Sequence, residues 1–271
     1  MSYERIVHET LAADDRIAAV RLDNPDRHNV LDERMVLELY DAFDRADQDA
    51  AVQGILLTST SDTFCAGADL GELNGLTFEE GARWLTTYFE AIDMLRDTGK
   101  PAVAAIEGTC VAGGNELVMG CDLIVAGESA RFGQPEVGVG STAAGGGVQL
   151  LPLIVGEKRA REMLLTGSLL SAVEAERIGL INRTVEDGTA EDAAVELLQT
   201  IVDTKSPQAY RTIKTILKPW TNFGLLAEEM ARDMTANVWA SAEFTERADA
   251  FLKREELKPR EFTGTQPRTR D

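Results

Sequence analysis

Two glutamates in glycine-rich settings are the side chains of this 271-residue chain best placed for proton transfer: Glu116 in EGTCVAGGNELVMGCD (107–122) and Glu136 in RFGQPEVGVG (131–140). An acid held beside apolar residues, with a second acid nearby, has its pKa raised toward neutrality, the condition for general acid or base work. Gly113 and Gly114 stand just ahead of Glu116, where a helix start leaves unpaired N–H groups and a positive dipole end. The same pair would equally serve close packing, with Glu116 an ordinary first-turn acid. Glu136 follows a proline and could equally stand idle in solvent. A third segment, FCAGADL (64–70), offers the small residues Ala66, Gly67 and Ala68, which let backbone N–H groups approach an oxyanion or a nucleotide. A tight strand-to-helix turn would use similar residues. Chemistry requires all three segments to meet in space.

Short apolar runs bounded by turn residues supply elements to position them: RIAAVRLD (16–23), GILLTS (54–59), PAVAAIEG (101–108) and DLIVAG (122–127) have the length and β-branched content of buried strands. Helical patterns lie between them at 32–48 and 79–97, the second opening on a Thr77/Glu80 capping box. Another helix is expected to open near Gly145. Alternating strands and helices indicate an α/β architecture. From about residue 157 the pattern is mostly helical, with a second capping box at Ser171/Glu174 and helices expected at 189–203, 207–218, 223–240 and 242–255. The division is an α/β core over 1–200 that carries the site, and a helical region over 201–271. The closing KPREFTGTQPRTRD is expected to fray or to lie across a neighbour.

A formal charge of −19, from 46 acidic and 27 basic side chains, only seven of them lysines, argues against nucleic-acid binding, because such a surface repels phosphate backbones. It also suggests adaptation to high intracellular salt. No stretch reaches the roughly 18 apolar residues of a membrane span, and the first residues lack the apolar core of a signal peptide. A cytoplasmic setting is expected. Three cysteines without paired spacing read as reduced thiols, and two histidines far from them leave no zinc site, so no metal is expected.

Taken in order, NPDRHNVLD (24–32), FCAGADL, VAGGNE and CDLIVAGESARFGQPEVGVG resemble the crotonase superfamily, specifically its enoyl-CoA hydratase branch, over about residue 5 to the FTG near residue 264. That resemblance implies a spiral of ββα units and a C-terminal helical trimerisation region, giving homotrimers or hexamers. It places an oxyanion hole at the backbone N–H groups of Ala68 and Gly113, and the hydratase acids at Glu116 and Glu136. The implied reaction adds water to a 2-enoyl-CoA thioester to give a 3-hydroxyacyl-CoA. Coenzyme A then belongs to the acyl-CoA substrate, and no cofactor is implied. Ala66, Asp69 and Leu70 map to the family's adenine contacts and Arg27 to the phosphates, although Arg27 could equally be a solvated surface charge, and Phe251 and Lys253 could reach a neighbouring subunit's nucleotide. Related crotonase reactions are isomerisation, hydrolysis and C–C cleavage. Isomerases commonly keep only the acid at the Glu136 position, so Glu116 favours hydration. Two positions depart from the family: Asn115, expected to compete for water or orient a polar acyl group, and the run from Ala143 to Leu150, which lacks the usual proline and arginine.

Overall fold

The apolar runs become the strands of two sheets in the computed structural model, which describes residues 3–257 and 259–262. Among these residues the strands are β1 (Ile6–Leu11), β2 (Asp14–Leu22), β3 (Gly54–Ser59), β4 (Ala102–Ile106), β5 (Thr109–Val111), β6 (Leu123–Gly127), β7 (Arg131–Gly133), β8 (Leu170–Ser171) and β9 (Arg183–Val185). The larger sheet runs β1-β2-β3-β4-β6-β9, with β1 antiparallel to β2 and the others parallel. The smaller runs β5-β7-β8. Strands β4 and β5, then β6 and β7, each send one member to each sheet before the chain turns helical, so the unit repeated along the spiral is ββα.

The helices are α1 (Glu33–Gln48), α2 (Leu70–Leu73), α3 (Phe78–Asp97), α4 (Gly113–Val118), α5 (Gly147–Val155), α6 (Glu157–Thr166), α7 (Ala172–Arg177), α8 (Ala190–Thr204), α9 (Pro207–Leu225), α10 (Glu228–Trp239) and α11 (Ala242–Lys253). Both expected capping boxes form, Thr77 with Glu80 and Ser171 with Glu174. Parallel strands buried on both faces read as continuous apolar runs because each face packs on something. Ile55 and Leu57 join the main core with α1 and α3, while Leu56 meets Val103, Val125 and the α8 residues Ala194 and Leu198 on the other side.

The helical region departs from expectation at one joint. Pro219 should end a helix at 218, yet α9 continues through it to Leu225, and the next helix begins only at Glu228. An interior proline costs about 3 kcal/mol. Packing on α5 favours the longer helix: Gly224 comes so close that an added Cβ would stand 2.6 Å from the Gln149 carbonyl oxygen. Lys214 of α9 also reaches back to Asp122 at 3.0 Å, beside the start of β6. The short strands β8 and β9 fall in the stretch read as mostly helical, since pairings of two or three residues leave no periodicity to detect. Residues 263–271, most of the tail expected to fray, lie outside the described residues.

Candidate active site

Three neighbouring parallel segments explain why the motifs meet. Cys65 bridges Cys110 in parallel, and Cys110 in turn pairs with Phe132 in the β5/β7 ladder. Chain directions therefore agree, and residues 66–70, 112–116 and 134–136 all emerge from the same end of this small sheet.

The first segment is stitched on both sides. Cys65 N–H donates to the Thr109 carbonyl at 3.0 Å and Val111 N–H to the Cys65 carbonyl at 3.1 Å. On the other edge, Leu31 N–H donates to Gly67 O at 2.8 Å and Asp69 N–H to Leu31 O at 3.1 Å. Gly67 has φ +95°, and a Cβ there would stand 2.5 Å from Ala112 Cβ and 3.3 Å from Gly113 N, so glycine is required by backbone and by space alike. Among the described residues neither Ala68 N–H nor Gly113 N–H has an acceptor within the protein. They are also close: a Cβ on Gly113 would lie 3.5 Å from Ala68 N.

The second segment turns from β5 into α4 through Ala112, a non-glycine residue at φ +52° whose N–H is anchored on the Gly133 carbonyl at 2.9 Å. The two readings of the glycine pair divide between its members. Gly114 serves packing, since its Cβ would fall 2.6 Å from Cys65 Cβ. Gly113 opens onto the cavity, and its carbonyl accepts from the buried Tyr88 hydroxyl on α3.

Glu116, 4% exposed, accepts from Gly147 N–H at 2.9 Å through Oε1. Burial pushes its carboxyl up to about 7, and the Gly147 and Gly145 amides restrain the rise. Gly145 must lack a side chain, because its Cβ would meet Tyr88 Cε1 at 2.3 Å and Glu116 Oε2 at 2.6 Å. The helix expected near Gly145 opens at Gly147 and forms without the family's proline and arginine. Glu136 lies in a 3₁₀ turn, Pro135–Val139, directly after β7. Its Oε2 is buried without a partner. Burial, and then the charge of Glu116, raise its carboxyl well above the ordinary range. The carboxylate of Glu136 is therefore not freely solvated, since its Oε2 is buried.

Ala68, Gly113, Glu116 and Glu136 line one cavity of about 660 Å³, and so do Arg27, Ala66, Asp69 and Leu70. Arg27 pairs with Asp69 at 2.6 Å, and Asp69 also caps α2 by accepting from Gly71 N–H at 3.0 Å. Phe251 lines this same chain's cavity, whereas Lys253 is paired with Asp249 at 2.8 Å and does not line it. Asn115 does not line the cavity either. It is fully buried with both amide atoms unpartnered, which removes the expectation that it orients a polar acyl group. Among the described residues no group of three or more His, Cys, Asp or Glu side chains is arranged to hold a metal ion.

The family model described as enoyl-CoA hydratase/isomerase matches residues 12–263. The chain belongs to that family, within the crotonase superfamily. The crotonyl-CoA hydratase of Syntrophomonas wolfei is 36% identical over 187 residues, 69% of this chain and 71% of that protein. The mitochondrial enoyl-CoA hydratase of Pongo abelii is 34% identical over 200 residues, 74% of this chain and 68% of that protein. The crystal structure of an enoyl-CoA hydratase/isomerase from Xanthobacter autotrophicus Py2 matches with a TM-score of 0.84 at 29% identity, covering 93% of this chain and 94% of that one. The crotonase fold is thus shared along almost the whole chain.

Residues not singled out in the sequence also build this crotonase-type cavity. Asn29, at φ +52°, receives Asn24 N–H on its Oδ1 at 2.7 Å and donates through Nδ2 to the Thr63 and Phe64 carbonyls at 2.9 and 3.0 Å, fixing the approach to residues 64–70. Its place in NPDRHNVLD was visible, but not its partners. Tyr88, Trp84 and Trp239 form an apolar wall. In the sequence they are aromatic positions on helices, like any core aromatic. No described helix is long and apolar enough to cross a membrane.

Proposed function

We propose that this chain is an enoyl-CoA hydratase, adding water across the double bond of a 2-enoyl-CoA thioester. The observation that carries the reading is the enclosure of the buried Glu116 carboxylate, the half-buried Glu136 and two unpaired main-chain N–H groups by one cavity. A single acid would suit isomerisation, and the second is what water addition requires. In the proposed step Ala68 and Gly113 N–H donate to the thioester oxygen. Ionised Glu116 removes a proton from water, and the water oxygen bonds to the β-carbon. The π electrons move onto the thioester oxygen as an enolate, which the two N–H groups stabilise by about 3 kcal/mol each in comparable sites. The enolate then collapses and takes the proton of neutral Glu136 at the α-carbon. The product is a 3-hydroxyacyl-CoA, and a proton passing from Glu116 to Glu136 restores the pair. The addition is redox-neutral, so the reading assigns no cofactor beyond the coenzyme A of the substrate.

The proton states agree with this division. Glu136, held well above the ordinary carboxyl range by burial and then by the charge of Glu116, is assigned as the neutral group, and Glu116, raised by burial to about 7, as the base. Arg27, Ala66, Asp69 and Leu70, together on the cavity lining, are assigned to the nucleotide part. The reading includes a trimer or hexamer: Ile213, Ile216, Leu217, Trp220 and Phe223 carry an apolar stripe of α9 to the surface at helical spacing, a face for further copies of the chain. It also includes a cytoplasmic setting, in keeping with three unpaired thiols.

Incubation with crotonyl-CoA, read by mass spectrometry, and separately with a 3-enoyl-CoA, read by the ultraviolet absorbance of the conjugated 2-enoyl thioester, tests the reaction. Gain of one water from crotonyl-CoA is expected. Double-bond migration in the second substrate with no hydration of the first would overturn the assignment in favour of isomerisation.

A further inference from the structure

The turn that presents Gly113 is strained and has few anchors. Ala112 holds φ +52° and ψ −130°, a conformation that an L residue keeps only where its surroundings impose it, and it enters α4 with no side-chain cap. Gly113 N–H shares a peptide plane with the Ala112 carbonyl, and that carbonyl accepts from Glu116 N–H at 3.0 Å. The following plane, which joins Gly113 to Gly114, ends in the Gly113 carbonyl, and there the Tyr88 hydroxyl donates. Among the described residues it is the one side chain that bonds the backbone of residues 112–115, since both amide atoms of Asn115 are unpartnered.

Tyr88 is itself held firmly. It is buried on α3, its ring lies 5.4 Å from that of Trp84, and its edge packs on Gly145, where an added Cβ would stand 2.3 Å from Tyr88 Cε1. The hydroxyl is thus fixed by packing before any substrate arrives, while the two planes it steadies meet at a glycine, which has no Cβ to limit rotation between them. An oxyanion donor is effective only if it is already aimed at the place where charge develops.

We infer that Tyr88 is a positioning residue for hydration: its hydroxyl holds the Gly113 peptide so that Gly113 N–H points at the thioester oxygen. The inference rests on the hydratase reading of the same cavity. Tyr88 moves no proton in it, because the hydroxyl proton is committed to the Gly113 carbonyl.

The test is Tyr88→Phe, which keeps the ring and removes the hydroxyl. Two quantities are read beside thermal unfolding: crotonyl-CoA hydration, and the carbonyl stretch of bound butyryl-CoA carrying ¹³C at the thioester carbon, by isotope-edited infrared. Butyryl-CoA is saturated and cannot be hydrated. Two aimed donors should move the stretch of the wild-type complex to lower frequency than in solution, and the variant should lose a clear part of that displacement. Its kcat should fall about 10-fold, a fraction of the roughly 100- to 1,000-fold that loss of a whole donor costs, with KM within about 3-fold of wild type. A merely structural tyrosine would lower Tm and leave displacement and kcat as they were, which overturns the inference. A fall in kcat with the displacement unchanged overturns it too, because the loss would not pass through Gly113. Should Tyr88→Phe not fold, Tyr88→Met, apolar and more adaptable, is judged by the same criteria. No displacement in the wild type removes the inference together with the oxyanion assignment. Displacement without hydration of any 2-enoyl-CoA sinks the hydratase reading alone, and the infrared comparison then decides the role of Tyr88.

Discussion

The Glu116→Gln variant separates what burial of this carboxyl costs the fold from what the carboxyl does in the cavity. A carboxyl moved by burial from an ordinary 4.5 to about 7 is neutral in both folded and unfolded chains at low pH, so it carries no cost there. As the pH rises from 4.5, the unfolded chain releases its proton while the folded chain holds it, and folding loses stability until the folded group also ionises near 7. At about 1.4 kcal/mol per pH decade the accumulated cost is roughly 1 kcal/mol at pH 5 and roughly 3 kcal/mol at pH 8. Glutamine is neutral throughout, fills the same space, and keeps an oxygen to accept from Gly147 N–H. The variant should therefore be more stable than wild type at pH 8 by about 3 kcal/mol and at pH 5 by only about 1 kcal/mol. In a chain of this size that corresponds to a rise in Tm of roughly 6–12 °C at pH 8. Turnover should meanwhile fall by about 100 to 10,000-fold, the contribution of a general base. Thermal unfolding at both pH values, beside a hydration assay, reads both effects. A gain that is the same at pH 5 and pH 8, or a loss at pH 8, would refute the argument from burial.

Because the proposed step needs Glu116 ionised and Glu136 protonated, kcat/KM should follow a bell in pH, its acid limb near 7 and its alkaline limb set by Glu136 at higher pH; a flat profile across pH 6 to 8 contradicts the assignment. Glu136→Gln should lower turnover by about 100 to 10,000-fold while crotonyl-CoA binding, measured by calorimetry, persists. Gly113→Ala puts a methyl 3.0 Å from Leu31 Cδ1, 3.2 Å from Tyr88 Oη and 3.5 Å from Ala68 N, one of the two N–H groups proposed to hold the oxyanion, so hydration should drop on the order of 100-fold or more with the fold intact by circular dichroism. Coenzyme A is anionic and the chain carries −19, so kcat/KM should rise between about 0.1 and 1 M KCl as the screening length shrinks from about 10 to about 3 Å; a steady fall would show that net charge does not oppose substrate entry.

Local order was legible in the sequence because it rests on local causes. The run GILLTS became β3 with the same bounds, Thr77 and Glu80 formed their capping box, and the 32–48 pattern became α1 within one residue, since strand burial, capping and amphipathic spacing act over a few residues. The short pairings at β8 and β9, and the continuation of α9 through Pro219, were not legible, because distant packing partners decide them.

The same division runs through the site. Sequence alone singled out the candidate residues and showed that small residues flank them: two carboxyls, two glycine-rich turns and the FCAGADL segment were each visible, with bland alternatives open. Only the tertiary structure decided between those alternatives. The parallel Cys65–Cys110–Phe132 neighbours deliver all three segments to one sheet end, and burial there raises the Glu116 carboxyl to about 7 and, with the charge of Glu116, the Glu136 carboxyl well above its ordinary range. It also decided the division of labour between Gly113 and Gly114, and the aromatic wall of Trp84, Tyr88 and Trp239, because those depend on which surfaces from far along the chain come within a few ångströms of each other.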